Sequence, residues 1–227
     1  MEPVAPTGRR VKFQTTADGS LTALHSQHGE AYHSVHGALT QARHLYLELT
    51  QTHQHPAPRV LELGFGLGVN FWVTLHHCVQ RGVRLEYLAY EAEPVSAGQI
   101  HTAVEGLELG GIDGFLLDQL CQNWSPSGLI WEGDWGLLEV QTCDIRSAAV
   151  PAHWATAIYL DPFSPQTNPQ AWELSVLQQL ALAAAPGAYL ATYSVAGSVR
   201  RGLQQAGFTV QKVAGRGKRA WLQAHIA

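Results

Sequence analysis

Charged side chains are sparse in this chain of 227 residues: Asp, Glu, Lys and Arg make up 14%, against 46% hydrophobic residues. So apolar and weakly charged a chain is not the solvated, disordered type, and it can bury a substantial core. No run of 18 uncharged apolar residues occurs, which excludes a transmembrane helix. The segment Met1–Arg10 lacks the apolar stretch of a signal peptide. Cysteine is limited to Cys78, Cys121 and Cys143, an odd and widely spaced set that makes neither a disulfide framework nor a metal motif. A Gly-x-Ser-x-Gly elbow is missing, so serine hydrolase chemistry has no support. Repeats and low-complexity tracts are also missing. These absences leave a cytoplasmic enzyme as the expectation, one domain with a modest appendage.

Acidic residues stop at Glu173. Beyond it stand Arg200, Arg201, Lys212, Arg216, Lys218 and Arg219 with no negative side chain, while the first 173 residues carry 8 basic and all 18 acidic ones. A net charge of -4 therefore conceals a basic C-terminal part, which could face a polyanion or simply keep the surface soluble. The 12 histidines are abundant but poorly spaced for a metal. His25, His28, His33, His36 and His44 show no ligand pattern, His53 and His55 sit among prolines, and the neighbours His76 and His77 do not share a helix face. No metal is expected.

What is there reads as alternating strands and helices. Residues 11–16 and 21–24 flank Asp18-Gly19, a hairpin turn. Helical spacing of Leu39, Ala42, Leu45, Tyr46 and Leu49 predicts a helix over 38–53. Residues 1–57 are thus expected to cap a domain formed by 58–227. Core strands are predicted at 59–63, 84–90, 137–142, 157–161 and 188–193. Helices are predicted at about 68–79, from Pro94, at 170–185 and at 196–206. Residues 107–136 read as an irregular insertion with a short helix near 113–122. Its Trp124, Trp131 and Trp135 are expected to pack the insertion rather than stack on bases. Strands at 208–213 and 219–225 have too short a link for a parallel crossover and must pair antiparallel. The fold class is α/β, Rossmann-like, with a mostly parallel seven-stranded sheet ending in an antiparallel hairpin.

The segment Arg59–Trp72 holds Gly64-x-Gly66-x-Gly68 between a buried strand and a helix, with Glu62 at the strand end. Glycines there let the chain turn beside a ligand with no Cβ in the way. The pattern lacks the last glycine of a dinucleotide fingerprint, so S-adenosyl-L-methionine is the expected cofactor. Asn70 could donate to its methionyl carboxylate or cap the helix start. Glu91 ends the second core strand, 27 residues past Gly64, where a carboxylate can accept from both ribose hydroxyls. Asp144, after the third, could accept from the adenine amino group or cap a helix.

Asp161 ends the fourth core strand and begins Asp161-Pro-Phe-Ser-Pro165, a loop stiffened by two prolines. Such a loop can hold a planar group and aim a carboxylate at an amine. Methyl transfer needs a lone pair, alignment and a dry pocket, so Asp161 is expected at the attacking nitrogen, or else beside the cofactor.

The chain resembles the family typified by the methyltransferase domain of the bifunctional bacterial tRNA-modification enzyme MnmC. Matching segments are Thr16–Ser20, Gly29–Ala38, Leu61–Phe71, Tyr159–Trp172, Ala191–Val210 and Gly215–Arg219. The resemblance implies methylation of the 5-aminomethyl group of 2-thiouridine at the tRNA wobble position, giving 5-methylaminomethyl-2-thiouridine. It places Asp161 at the reactive amine, Phe163 beside the base, Glu91 and Asp144 around ribose and adenine, and Ser194 near the substrate. Tyr32 and His33 match the segment over the active site. Arg200, Arg201, Arg216, Lys218 and Arg219 are then expected on anticodon-stem phosphates.

Two departures stand out. Pro162 replaces a glycine of the fused enzymes and stiffens the substrate loop; Leu67 replaces a threonine near the cofactor. A stand-alone protein without the FAD-dependent oxidase is expected. It would act as a monomer, without membrane or metal, on tRNA prepared by the complex that installs the aminomethyl group. Alternatives are a small-molecule amine N-methyltransferase, a polyamine aminopropyltransferase, or a non-catalytic RNA-binding protein on the same fold.

Overall fold

A computed structural model describes residues 11–107, 109, 114–215 and 220–227. Its centre is β3 (Arg59–Leu63), whose Val60, Leu61 and Glu62 are fully buried. A strand covered on both faces reads as a continuous apolar run, and parallel neighbours follow. β3 pairs in parallel with β4 (Leu85–Glu91) and β7 (Ala155–Leu160). Outward from these lie β6 (Gly136–Thr142) and β8 (Ala184–Thr192), also parallel. The hairpin of β9 (Thr209–Ala214) and β10 (Ala220–His225) adds to β8 antiparallel, as the short link requires.

Among the described residues the sheet has eight strands, not seven, in the order β5 (Leu129–Gly133), β6, β4, β3, β7, β8, β10, β9. The added strand, β5, comes from the segment read as irregular and pairs antiparallel with β6 around Asp134-Trp135. The turn closes because Gly136 takes φ 137° against the backbone of Leu85, where a Cβ would lie 1.8 Å from a carbonyl oxygen. Trp131 and Trp135 contact each other with ring centroids 4.5 Å apart and surround Phe71, while Trp124 stacks on Phe65 at 5.5 Å. The tryptophans are packing, as expected. The tight turn signal was hidden because Asp134-Trp135 lacks a glycine at its centre.

Helix α2 (Val69–Gln80) follows β3, and α3 (Ala97–Glu105) follows β4. α3 starts after Ser96, not at Pro94: Ser96 and Gln99 form a reciprocal capping box that fixes the first turn. α4 (Gly114–Asn123) lies in the insertion, α5 (Leu174–Ala183) precedes β8, and α6 (Gly197–Gln205) precedes β9. Before the core, β1 (Lys12–Thr15) and β2 (Leu21–Leu24) make the hairpin. The expected long helix is instead one α-turn, α1 (Ala38–Gln41), running into a π-helix, Ala42–Glu48. The wider π-turns bring Ala42, Leu45, Tyr46 and Leu47 all inward. Such turns commonly mark functional sites. Among the described residues no helix is long and apolar enough to cross a membrane.

Candidate active site

The carboxyl ends of β6, β4, β3, β7 and β8 open into one cavity of about 770 Å3, roofed by His28, residues 30–35 and Gln41. This is where open α/β sheets bind ligands. Gly64 and Gly66 form its floor at φ 91° and 52°. A Cβ on Gly64 would lie 2.7 Å from the Asp161 carbonyl oxygen, and one on Gly66 would lie 3.0 Å from the Tyr32 ring. Gly68 begins α2 at φ 74° against the Phe65 ring, so its role is to turn the chain rather than to line the cavity.

Glu91 stands at the cavity edge where expected. Its Oε2 accepts the Gly66 N–H and its Oε1 the Glu93 N–H, both at 2.8 Å. Burial raises its carboxyl above the usual range, against the pull of these amides. Each oxygen keeps a second lone pair for a diol.

Glu62 and Asn70 were expected on the cofactor, yet they lie behind the cavity wall. Strand alternation turns Leu63 to the cavity and Glu62 into the layer beneath α2. Asn70 Nδ2 donates to Glu62 Oε1 and to Asp161 Oδ2, each at 2.8 Å, and Tyr87 Oη donates to Glu62 Oε2 at 2.9 Å. Both amide hydrogens of Asn70 are thus committed, and neither is left for a cofactor carboxylate. Burial holds the Glu62 carboxyl well above the carboxylate range, with Asn70 and Tyr87 pulling the other way.

Asp161 lines the cavity with its side chain only 4% exposed. Burial pushes its carboxyl up to about 7, although Tyr46 and Asn70 pull it down. The Tyr46 hydroxyl comes from the π-helix and sits beside Asp161. His33 stands opposite, its Nδ1 3.8 Å from Asp161 Oδ2. Both its ring nitrogens are buried without a partner, and burial lowers the imidazole to about 4.

Phe163 lies under the roof, with ring centroids 5.1 Å from His25, 4.8 Å from His28 and 5.2 Å from Tyr32. Pro162 is fixed by its carbonyl, which accepts the Tyr193 hydroxyl at 2.7 Å. Roof and floor are clasped by a residue the sequence did not single out. Glu30 accepts Ser164 N–H at 3.0 Å, Ser164 Oγ–H at 2.5 Å and the Thr167 hydroxyl. Burial raises the Glu30 carboxyl, but these bonds outweigh it and hold it below its ordinary value. Nothing but its place one residue after Gly29 in a matching segment hinted at it.

Further corrections concern Asp144 and Ser194. Asp144 reaches the cavity, yet its carboxylate caps the turn at Arg146 N–H (2.9 Å) and pairs with the Arg146 guanidinium (2.6 Å), which holds it below the usual range. The capping alternative is the one realised. Ser194 is buried and is not among the described residues lining the cavity; Tyr193, one residue earlier, is. Arg200 and Arg201 are exposed on α6, whereas Arg216, Lys218 and Arg219 lie outside the described residues. His25, His28 and Glu93 bring possible ligand atoms within 4.8 Å of one another. However, His25 Nδ1 accepts the N–H groups of Gln27 and His28 at 3.3 and 3.1 Å, which puts its proton on Nε2, toward Glu93. His25 is therefore a donor to a carboxylate, not a lone-pair ligand.

A glycine floor that a Cβ would fill, a diol-ready Glu91 and an adjoining carboxylate fit an adenosyl cofactor with an amine beside it. Comparison with known proteins agrees. A family described as S-adenosyl-L-methionine-dependent methyltransferase matches residues 119–227. The bifunctional protein MnmC of tRNA 5-methylaminomethyl-2-thiouridine biosynthesis from Acidovorax sp. (strain JS42) is 40% identical over 215 residues, 87% of this chain and 33% of that protein. Its counterpart from Paracidovorax citrulli is 38% identical over 90% of this chain and 34% of its own. The chain thus spans about a third of the length of the curated relatives it matches. The crystal structure of MNMC2 from Aquifex aeolicus superposes with a TM-score of 0.79 at 29% identity, covering 96% of this chain and 71% of that one. A spermidine synthase shares the fold alone, with a TM-score of 0.60 at 12% identity.

Proposed function

We propose that the chain is an S-adenosyl-L-methionine-dependent methyltransferase of the group that takes in the MnmC proteins, and that it methylates the 5-aminomethyl group of (2-thio)uridine at the tRNA wobble position. The product would be 5-methylaminomethyl-2-thiouridine. One observation carries this reading above other amine substrates: the buried carboxylate of Asp161 and the ring of Phe163 share one cavity two residues apart. An aromatic ring suits a base, and a carboxylate suits the amine that hangs from it.

Glu91 and the Gly64–Gly66 turn would hold S-adenosyl-L-methionine, which would supply an electrophilic methyl group for the amine lone pair. Asp161 orients the neutral amine through an N–H and stabilises the positive charge that grows on nitrogen. Its own proton affinity, tuned to about 7, lets it receive the proton of an arriving ammonium and pass it to water. The roof clasped by Glu30 keeps water out, which strengthens each of these interactions. Residues 1–57 would serve as the cap of the domain formed by 58–227. In this reading Arg200, Arg201, Arg216, Lys218 and Arg219 hold tRNA phosphates, Ser194 lies near the substrate, and the protein works as a cytoplasmic monomer. The complex that installs the aminomethyl group acts before it.

The test is methyl transfer from labelled cofactor to unmodified tRNA, to tRNA with 5-aminomethyluridine, and to tRNA with 5-carboxymethylaminomethyluridine. Label is expected with the aminomethyl form only. Label on none of them, with cofactor binding intact, would sink the tRNA reading and favour a small amine as substrate or a non-catalytic RNA-binding role.

A further inference from the structure

One buried group has no task in that reaction. His33 has two ring nitrogens and no partner for either, although a polar atom buried unpaired destabilises the fold. The ring is not misplaced. Its backbone is gripped from both sides by one hydroxyl of β2: His33 N–H donates to Thr22 Oγ1 at 2.9 Å, and Thr22 Oγ1 donates to the His33 carbonyl at 3.3 Å. The next residue is tied as well, Ser34 N–H to Gln41 Oε1 at 2.8 Å. The sequence therefore holds a partnerless ring firmly in the cavity, with Nδ1 3.8 Å from Asp161 Oδ2. A partner from outside the chain is the physical explanation.

We propose that His33 and Asp161 form a two-acceptor clamp for a primary amine, and that this clamp limits transfer to one methyl group. The inference rests on the proposed substrate and deepens it. A neutral primary amine has two N–H bonds and one lone pair. With one N–H on Asp161 Oδ2 and the other on His33 Nδ1, the lone pair has a single remaining direction, toward the cofactor. The imidazole must be in the Nε2–H form. It stays uncharged above a pH of about 4, so it neither repels the arriving cation nor loses its acceptor at Nδ1. In the transfer the nitrogen lone pair becomes the N–C bond, the C–S bond breaks with its electrons left on sulfur, and the resulting secondary ammonium yields one proton to water. The product amine has one N–H and one methyl. To present its lone pair again it must place that methyl against one of the two acceptors, which costs a hydrogen bond and buries that acceptor unpaired.

Three proteins would be compared on tRNA with 5-aminomethyluridine and on the same tRNA already carrying one methyl: wild type, His33→Ala and His33→Asn. Nucleosides would be resolved by mass, and cofactor affinity measured by calorimetry as a check on folding. Wild type should give the monomethyl product alone. His33→Ala should slow the first transfer about 10- to 100-fold at unchanged cofactor affinity, and should add a second methyl to the premethylated tRNA. His33→Asn, whose amide oxygen can stand near the former Nδ1, should recover most of the first rate and remain monomethylating. A His33→Ala protein that keeps the wild-type rate, or that slows without ever adding a second methyl, overturns the clamp. Wild type that labels neither tRNA overturns the proposed function instead.

Discussion

Asn70 joins two carboxyl groups that face it from different strands: its Nδ2 is 2.8 Å from Asp161 Oδ2 and 2.8 Å from Glu62 Oε1. One is at the cavity and the other is fully buried, so Asn70 ties the carboxyl group at the cavity to the core. Asn70→Leu removes both donors. The expected loss of stability is on the order of 2–3 kcal/mol, because two carboxyl groups are left without a shared partner. Turnover should fall more than cofactor affinity, since both amide hydrogens go to carboxyl groups rather than to the ligand. Urea denaturation and calorimetry measure the two separately. Equal losses in turnover and cofactor affinity would put Asn70 at the cofactor after all.

The acidity of Asp161 sets a pH profile. With its carboxyl up at about 7, kcat/KM should rise with pH and level off above about 7. Asp161→Asn should lose at least about a hundredfold in turnover, together with that limb of the profile.

Folding stability should respond to the same residue in the opposite sense. An unfolded chain releases the Asp161 proton near 3.8, the folded protein near 7. Between these pH values the native state binds more protons, so the site destabilises the fold as pH rises. Asp161→Asn should match wild type below about pH 4 and gain on it up to about pH 7. The gain should then stay constant, at most on the order of 4 kcal/mol. Thermal denaturation at pH 5 and pH 8 reads it; no gain at pH 8 would mean that Asp161 is not strained by burial.

Glu30 behaves in the ordinary way for a bonded carboxylate. Its carboxyl is held below its usual value by Ser164 and Thr167 despite burial, so the clasp is complete at neutral pH and lost as pH falls. Glu30→Ala should free the roof and raise KM for tRNA several-fold, with a smaller effect on cofactor affinity. Stopped-flow fluorescence of the nearby Trp172, whose indole N–H bonds to the Phe163 carbonyl at 2.8 Å, would report loop opening.

Variants at Glu91 and at the arginines of α6 should separate the two ligands of the proposed reaction. Glu91→Ala should weaken cofactor binding about tenfold or more, each hydrogen bond to the diol being worth roughly 1–1.5 kcal/mol, and leave tRNA affinity unchanged. Arg200→Glu with Arg201→Glu should do the reverse. The slope of log affinity against log salt should fall by about 0.7–0.9 for each phosphate that is no longer neutralised. An unchanged slope would move the RNA face away from α6.

Local chemistry decided a large part of this protein. The apolar run ending at Leu63, the glycine turn after it and the position of Glu91 were legible because strand, turn and helix depend on near neighbours in the chain. The terminal hairpin followed from a link too short to cross over, and Asp161 from its place at a strand end. Tertiary structure decided which carboxyl groups face the cavity. Glu62 looked like a cofactor residue, yet one step of strand alternation buried it behind Leu63, and Asn70 was taken up by the same network. Asp144 was claimed by Arg146 and Ser194 gave way to Tyr193, both through side-chain directions that spacing does not carry. The clasp of Glu30 on Ser164 joins residues 134 apart, and the approach of His33 to Asp161 spans nearly as far. Backbone preferences act over a few residues, and they write themselves into sequence patterns. Burial, which sets the acidity of Asp161 and leaves His33 in want of a partner, exists only once the whole chain has closed around them.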